Sequence, residues 1–226
     1  MADVQQALQS IMSVLVSEHE TPQAHLAARP VICISRDFGS GGDDIARRLA
    51  DRLEIPVYDP QILDKIAQRL DTDTETLRAL EAGTTPVRDL WLYSRISGKG
   101  VDLADYRQHL ISVLLSLGRS GGIILGRGGH LVLAQSGALR LRLTGSVEVC
   151  ATRIAASEAL GIQAARERVI SENAKRENFV KQTFGVSLNE PGTFDLTVNT
   201  DRFEDKDALV DLLLDARHVI ARQANA

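Results

Sequence analysis

Residues 35–44 read Ser-Arg-Asp-Phe-Gly-Ser-Gly-Gly-Asp-Asp and follow directly on the apolar run Val31-Ile-Cys-Ile34. A glycine-rich turn between a strand and a helix lets successive backbone N–H groups converge on an anion, and the start of the helix adds partial positive charge. The chemistry this favours is the holding of a phosphate group, with Gly39, Ser40, Gly41 and Gly42 as the cradle; the plainer alternative is a tight turn that binds nothing. The widespread form of such a loop is G-x-x-x-x-G-K-[ST]. Here Arg36 stands at its first glycine, Gly42 at its lysine and Asp43 at its hydroxyl residue.

Two further constellations carry charge suited to phosphate. "LGRGGH" (125–130) is again a strand end, a glycine turn and a helix start, with Arg127 in the turn. A planar guanidinium fits a phosphate or carboxylate bidentately; the alternative is that Arg127 pairs with a nearby acid and caps the helix. Along 150–182 run Arg153, Arg166, Arg168, Lys175, Arg176 and Lys181. Singly, such residues are solvated or paired along the helix with Glu167 or Glu172. Together they can close over transferring phosphates, where convergent positive charge counts most. His130, just after the Gly-Arg turn, is expected to cap or pack rather than touch a ligand. "SGKG" (97–100) imitates a phosphate loop, but no apolar strand precedes it.

The elements that position these residues follow from periodicity. A continuous apolar run of strand length occupies 31–35, further strands are expected at 56–59, 122–127, 139–145 and 196–200, and helical spacing occupies 61–70, 74–82, 105–118, 147–159, 162–182 and 205–222. Alternating strands and helices predict a mostly parallel sheet with helices on both faces. Ligands of such sheets bind at the carboxyl ends of the strands, which selects Arg36, Asp59, Arg127 and Asn199. Residues 83–104 hold Gly, Pro and the one Trp without a clean period and read as an irregular insertion. Residues 3–17 space Val4, Leu8, Ile11, Met12, Leu15 and Val16 as an amphipathic helix, separated from the rest by a polar stretch. Its apolar face must cover its own domain, a second copy of the chain or a partner.

Bulk properties narrow the classes. The 226 residues suit one domain with an embellishment, and a net charge of −4 argues against general binding of nucleic acid or anionic membrane. Cys33 and Cys150 make neither a disulfide framework nor a zinc spacing. With no apolar run of membrane-spanning length and no secretory pattern at the N-terminus, the expected location is cytoplasmic.

In order, "SRDFGSGG" (35–42), "IPVYDPQIL" (55–63), "GIILGRGGHLVL" (122–133), the basic helical stretch from 148 and "FDLTVNTDRF" (194–203) resemble the P-loop nucleoside-monophosphate kinases, and most closely the cytidylate-kinase-like branch. The resemblance runs from about residue 31 to the C-terminus. It implies a three-layer P-loop kinase fold: a mostly parallel five-stranded sheet with helices on both faces and a helical lid. Residues 1–28 would be an added helix and linker, and 29–226 the kinase-like domain, with the acceptor region at about 60–118 and the lid at about 155–190.

It further implies an ATP-dependent phosphotransferase acting on CMP or a similar small nucleotide, with ATP and Mg²⁺ as cofactors. Residues 39–42 would cradle ATP phosphates, Arg127 would hold the acceptor, and Arg166, Arg168 or Arg176 would steady charge during transfer. Arg36 would face the phosphates or cap its strand, and Asp59 would orient the acceptor. Asp43 would offer Mg²⁺ a carboxylate where the family uses a hydroxyl, whereas Asp44 suits the plainer part of an acid in a helix's first turn.

Departures from authentic cytidylate kinases are Gly42 for lysine, Leu125 and Gly128 for acids around Gly-Arg, and Asn173 for an aspartate before Arg176. A unit charge about 6 Å from another at an effective dielectric of about 20 contributes roughly 3 kcal/mol, so a missing lysine is worth on the order of 10²-fold. Two rivals follow: a nucleotide-binding sensor or scaffold without turnover, and a kinase of another small acceptor on the same fold.

Overall fold

A computed structural model describes residues 29–65 and 103–224. The expected helices over 3–17 and 74–82, the end of the helix over 61–70, most of the irregular insertion and the "SGKG" fragment lie outside those residues.

Five strands, β1 (Val31–Arg36), β2 (Val57–Tyr58), β3 (Gly122–Leu125), β4 (Leu139–Thr144) and β5 (Leu196–Asn199), form one sheet in the order β2-β3-β1-β4-β5. The sequence predicts a mostly parallel sheet; among the described residues every pairing is parallel. The central place of β1 explains its unbroken apolar run, since a strand covered on both faces has no reason to alternate. Successive side chains still point to opposite sides. Ile32 and Ile34 join Ile45, Leu49, Leu209 and Leu213 of the core beneath α1 (Gly42–Leu53) and the last helix. Cys33 joins Leu110, Leu114, Leu117 and Ile124 under α2 (Leu103–Ser120). Burial pushes the Cys33 thiol up to about 12 and the Cys150 thiol up to about 11, so both act as small buried hydrophobes.

The remaining helices are α3 (Gly129–Val132), α4 (Val147–Glu158), α5 (Ile162–Phe184) and α6 (Lys206–Ala224), and a further helical stretch begins at residue 60. One-turn α3 is too short to leave a period in the sequence. Local chemistry sets the ends: the Ser146 hydroxyl accepts from the Val149 amide at the start of α4, and Gly185 closes α5 at φ 74°. Helices α4 and α5 pack on each other through Cys150, Ala151, Ala165 and Val169. Phe38, from the glycine turn after β1, lies against the same cluster. The turn and the α4–α5 pair therefore share packing.

Candidate active site

The turn 37–41 links β1 to α1 and is braced from outside. The Asp37 amide donates to the Leu143 carbonyl (2.9 Å), the Ser40 hydroxyl to the Asp37 carbonyl (2.8 Å), and the Thr200 hydroxyl to the Ser40 carbonyl (2.8 Å). Arg153 reaches the carbonyl of Thr200 at 2.7 Å and so fastens the same corner. Gly39 and Gly41 have φ of 83° and 80°, a region costly for residues with a Cβ. The amides of Gly39, Gly41 and Asp43 make no hydrogen bond among the described residues. These N–H groups at the start of a 12-residue helix are the elements of an anion cradle.

Arg36 ends β1 with only 9% of its surface exposed. Its Nη2 and Nε donate to the same Asp43 oxygen, Oδ1, at 2.6 and 3.1 Å. Two residues of α5 close on the backbone here: Asn173 Oδ1 accepts from the Phe38 amide at 2.7 Å, and Arg176 Nη1 donates to the Arg36 carbonyl at 2.7 Å. Burial and the neighbouring Arg36 charge lower the Arg176 pKa to about 10, which leaves it cationic at neutral pH.

Arg36, Asp43 and Arg176 open into a cleft of about 560 Å³ between the ends of β1, β2 and β3 and the inner face of α5. Arg36, Arg47, Arg127, Lys175 and Arg176 line it, against the acids Asp43, Asp59 and Glu172, and Val57, Leu125, Phe179 and Leu188 supply apolar wall. Arg127 sits in the second glycine turn at φ 50°. It is gripped bidentately by Asp64 (2.6 and 2.5 Å), its guanidinium lies 4.4 Å from the Phe179 ring centre, and Asp64 also accepts from the Tyr106 hydroxyl at 2.6 Å. Burial works against the Arg127 charge, but the Asp64 hydrogen bonds outweigh it and raise its pKa above the ordinary arginine value.

Of the other expected site residues, Asp59 lines the cleft while its Oδ1 caps the helix starting at 60 through the Ile62 amide (2.9 Å). Arg166 pairs with Glu148 at 2.6 Å on the outer surface. Arg168 pairs with Glu158 and stands 5.4 Å over the Phe38 ring. Neither lines the cleft. Asn199 accepts from the Asp201 amide in a surface turn. His130 is buried and stacked on Phe194 at 4.4 Å, with burial and the charges of Arg142 and Arg140 lowering its pKa to about 4, as its packing role requires. Sequence reasoning did not single out Asp64, Arg47 or Phe179. Helical spacing gave no sign of the first, because its partners Arg127 and Tyr106 come from other elements.

The all-parallel sheet, with helices on both faces and a glycine turn after its central strand, has the α/β fold of the P-loop kinases. The profile of the cytidylate kinase-like family matches residues 31–202, and the chain belongs to that family. Among solved structures, a protein from Eubacterium ventriosum ATCC 27560 superposes with a TM-score of 0.64 at 17% identity, over 84% of this chain and 99% of that one. Shikimate kinase from Bacteroides thetaiotaomicron gives a TM-score of 0.45 at 16% identity, over 82% and 96% of the two chains. Shikimate kinase from Acinetobacter baumannii in complex with shikimate gives 0.40 at 16%, over 82% and 93%. No curated protein sequence matches the chain significantly. None of the described helices is long and apolar enough to cross a membrane.

Proposed function

We propose that the protein transfers the γ-phosphoryl group of ATP to a small acceptor in the cleft, a nucleoside monophosphate of the CMP kind. The observation that carries this reading is one cleft lined by Arg36 and Asp43, which flank the glycine turn on either side, together with Arg127 and Arg176. An acceptor oxygen attacks the γ-phosphorus as its bond to the ADP oxygen breaks, and the protein's work is positioning and charge stabilisation. Gly39, Ser40, Gly41, Gly42 and Asp43 hold the donor phosphates. Arg127, fixed by Asp64, orients the acceptor beside Asp59, and Arg176 steadies the transferring group. Arg166 and Arg168, paired at the surface in this conformation, act only after α4 and α5 move as a lid.

The donor set suits Mg²⁺ modestly. Asp43 Oδ2 has no hydrogen-bond partner among the described residues, and magnesium takes one or two carboxylates beside substrate phosphates and water. No group of three or more acidic, His or Cys side chains is gathered among the described residues. Asp43 would hold the ion, which would neutralise charge on the donor phosphates.

A second reading, a kinase for another small acceptor, is favoured by one observation: Asp64 engages Arg127 with both of its oxygens, so an acceptor that asks less of that arginine suits this end of the cleft. ADP release measured with ATP, Mg²⁺ and a panel of monophosphates and small hydroxy acids separates the readings. Turnover with CMP supports the first, and turnover only with another acceptor supports the second. ATP binding without turnover on any acceptor identifies a sensor or scaffold.

A further inference from the structure

The loop lacks its lysine, yet the space for one is filled. A Cβ built on Gly42 would lie 2.6 Å from Arg36 Cβ and 2.8 Å from its Cγ, so the Arg36 stem occupies the volume where a side chain at 42 would begin. Beyond the stem, Nε and Nη2 rest on Asp43 Oδ1. The remaining nitrogen, Nη1, makes no hydrogen bond among the described residues and lies 3.2 Å from where a Cβ on Gly126 would stand. Two glycines in different turns thus leave room for one arginine, whose head faces the cleft shared with Asp43 and Gly126.

We propose that Arg36 supplies, from the end of β1, the positive charge that the loop lacks at Gly42, and that its free Nη1 contacts the β- and γ-phosphate oxygens of a nucleoside triphosphate. The proposal rests on the kinase reading above. Asp43 acts as the positioning residue, holding the guanidinium by one edge so that the other edge stays turned toward the cleft. The arrangement explains why position 42 is glycine: a lysine there would displace the arginine that performs its task.

The test is calorimetric titration of ATP, ADP and AMP, each with Mg²⁺, into the full chain and into three variants, with melting temperature recorded for each. Arg36→Ala is expected to weaken ATP about a hundredfold and AMP little. Gly42→Lys alone is expected to lose ATP affinity by displacing Arg36. Arg36→Gly/Gly42→Lys, which moves the charge back to the helix start, is expected to recover at least a tenth of wild-type ATP affinity. If the wild type binds ATP and a folded Arg36→Ala binds it equally well, or loses ATP and AMP alike, the proposal is overturned and the kinase reading stands. If Arg36→Ala does not fold, the double variant decides: ATP affinity restored supports the proposal, and a folded double variant without ATP affinity overturns it. If the wild type binds no nucleotide, the kinase reading fails and the proposal with it.

Discussion

The two glycine turns at the sheet's carboxyl edge look alike as sequence, "DFGSGG" and "GRGG", and differ in the helices they lead into and in what packs above them. After β1 the turn feeds a 12-residue helix and leaves amides unsatisfied. After β3 the turn feeds the four-residue α3; the Gly126 amide donates to the Ile34 carbonyl at 3.0 Å and the Gly129 amide to the Gly126 carbonyl at 3.1 Å, while the Arg127 and Gly128 amides make no hydrogen bond among the described residues. A Cβ on Gly128 would fall inside the Phe184 ring, whereas one on Gly41 would meet only the Lys206 stem at 3.7 Å. Each turn carries an arginine paired with an acid. Arg36 leans on Asp43 within its own turn-and-helix unit, while Arg127 is held by Asp64, 63 residues away in the chain. The second turn is filled over Gly128 by Phe184, whereas the first stays open over Gly41 although Cys150 closes on Gly39 and Arg36 on Gly42. The shared glycine pattern does not distinguish them, but what fills the space above each does.

The sharpest way to test this contrast is Gly128→Ala. A positive φ of 72° and a ring in the way should cost about 3–5 kcal/mol together, read as a large fall in the urea midpoint. An effect below about 1 kcal/mol would mean that the second turn is not filled as described. Next comes acid sensitivity. His130 belongs to the second turn's helix, and its folded pKa of about 4 lies below the ordinary 6.5. The stability of its neutral form is fully present above pH 6.5. Between 6.5 and about 4 the unfolded chain takes up a proton that the folded chain refuses, so stability should fall by on the order of 3 kcal/mol. His130→Phe should flatten the slope of melting temperature against pH in that window; an unchanged slope would assign it to other groups. The smallest effect is expected from Gly41→Ala, about 1–2 kcal/mol from backbone strain alone. Its larger consequence should appear in ATP titration, because its amide belongs to the open turn.

Much of the frame was legible in the sequence because the central strands are marked runs. Val31–Ile34 and Ile123–Leu125 are continuously apolar, Leu139–Leu143 alternates leucine with arginine, and the glycine turns mark where the edge lies. The pairings across the edge were not legible. Nothing local in the helix starting at 60 marks Asp64 as the partner of Arg127, since that contact is made by the topology and not by spacing. Arg166, Arg168 and Arg176 illustrate the same limit. All three are basic residues on one helix, but only Arg176 lines the cleft: Arg168 lies two turns before it over the same Phe38 ring and pairs with Glu158, and Arg166 pairs with Glu148. Arg36 was visible as a departure from the usual loop pattern, but the reason for it lay in the volume above Gly42.

The hydrogen bond from the Phe38 amide to Asn173 turns one backbone proton into a timer. That proton belongs to the glycine turn after β1, but its protection is set by a helix that arrives 135 residues later in the chain. Whenever α5 lifts, the proton meets solvent and exchanges; whenever it settles, exchange stops. Deuterium uptake at this one position therefore reads the free energy of separating α5 from the turn, before any substrate is known, and a ligand that holds the two together would slow it.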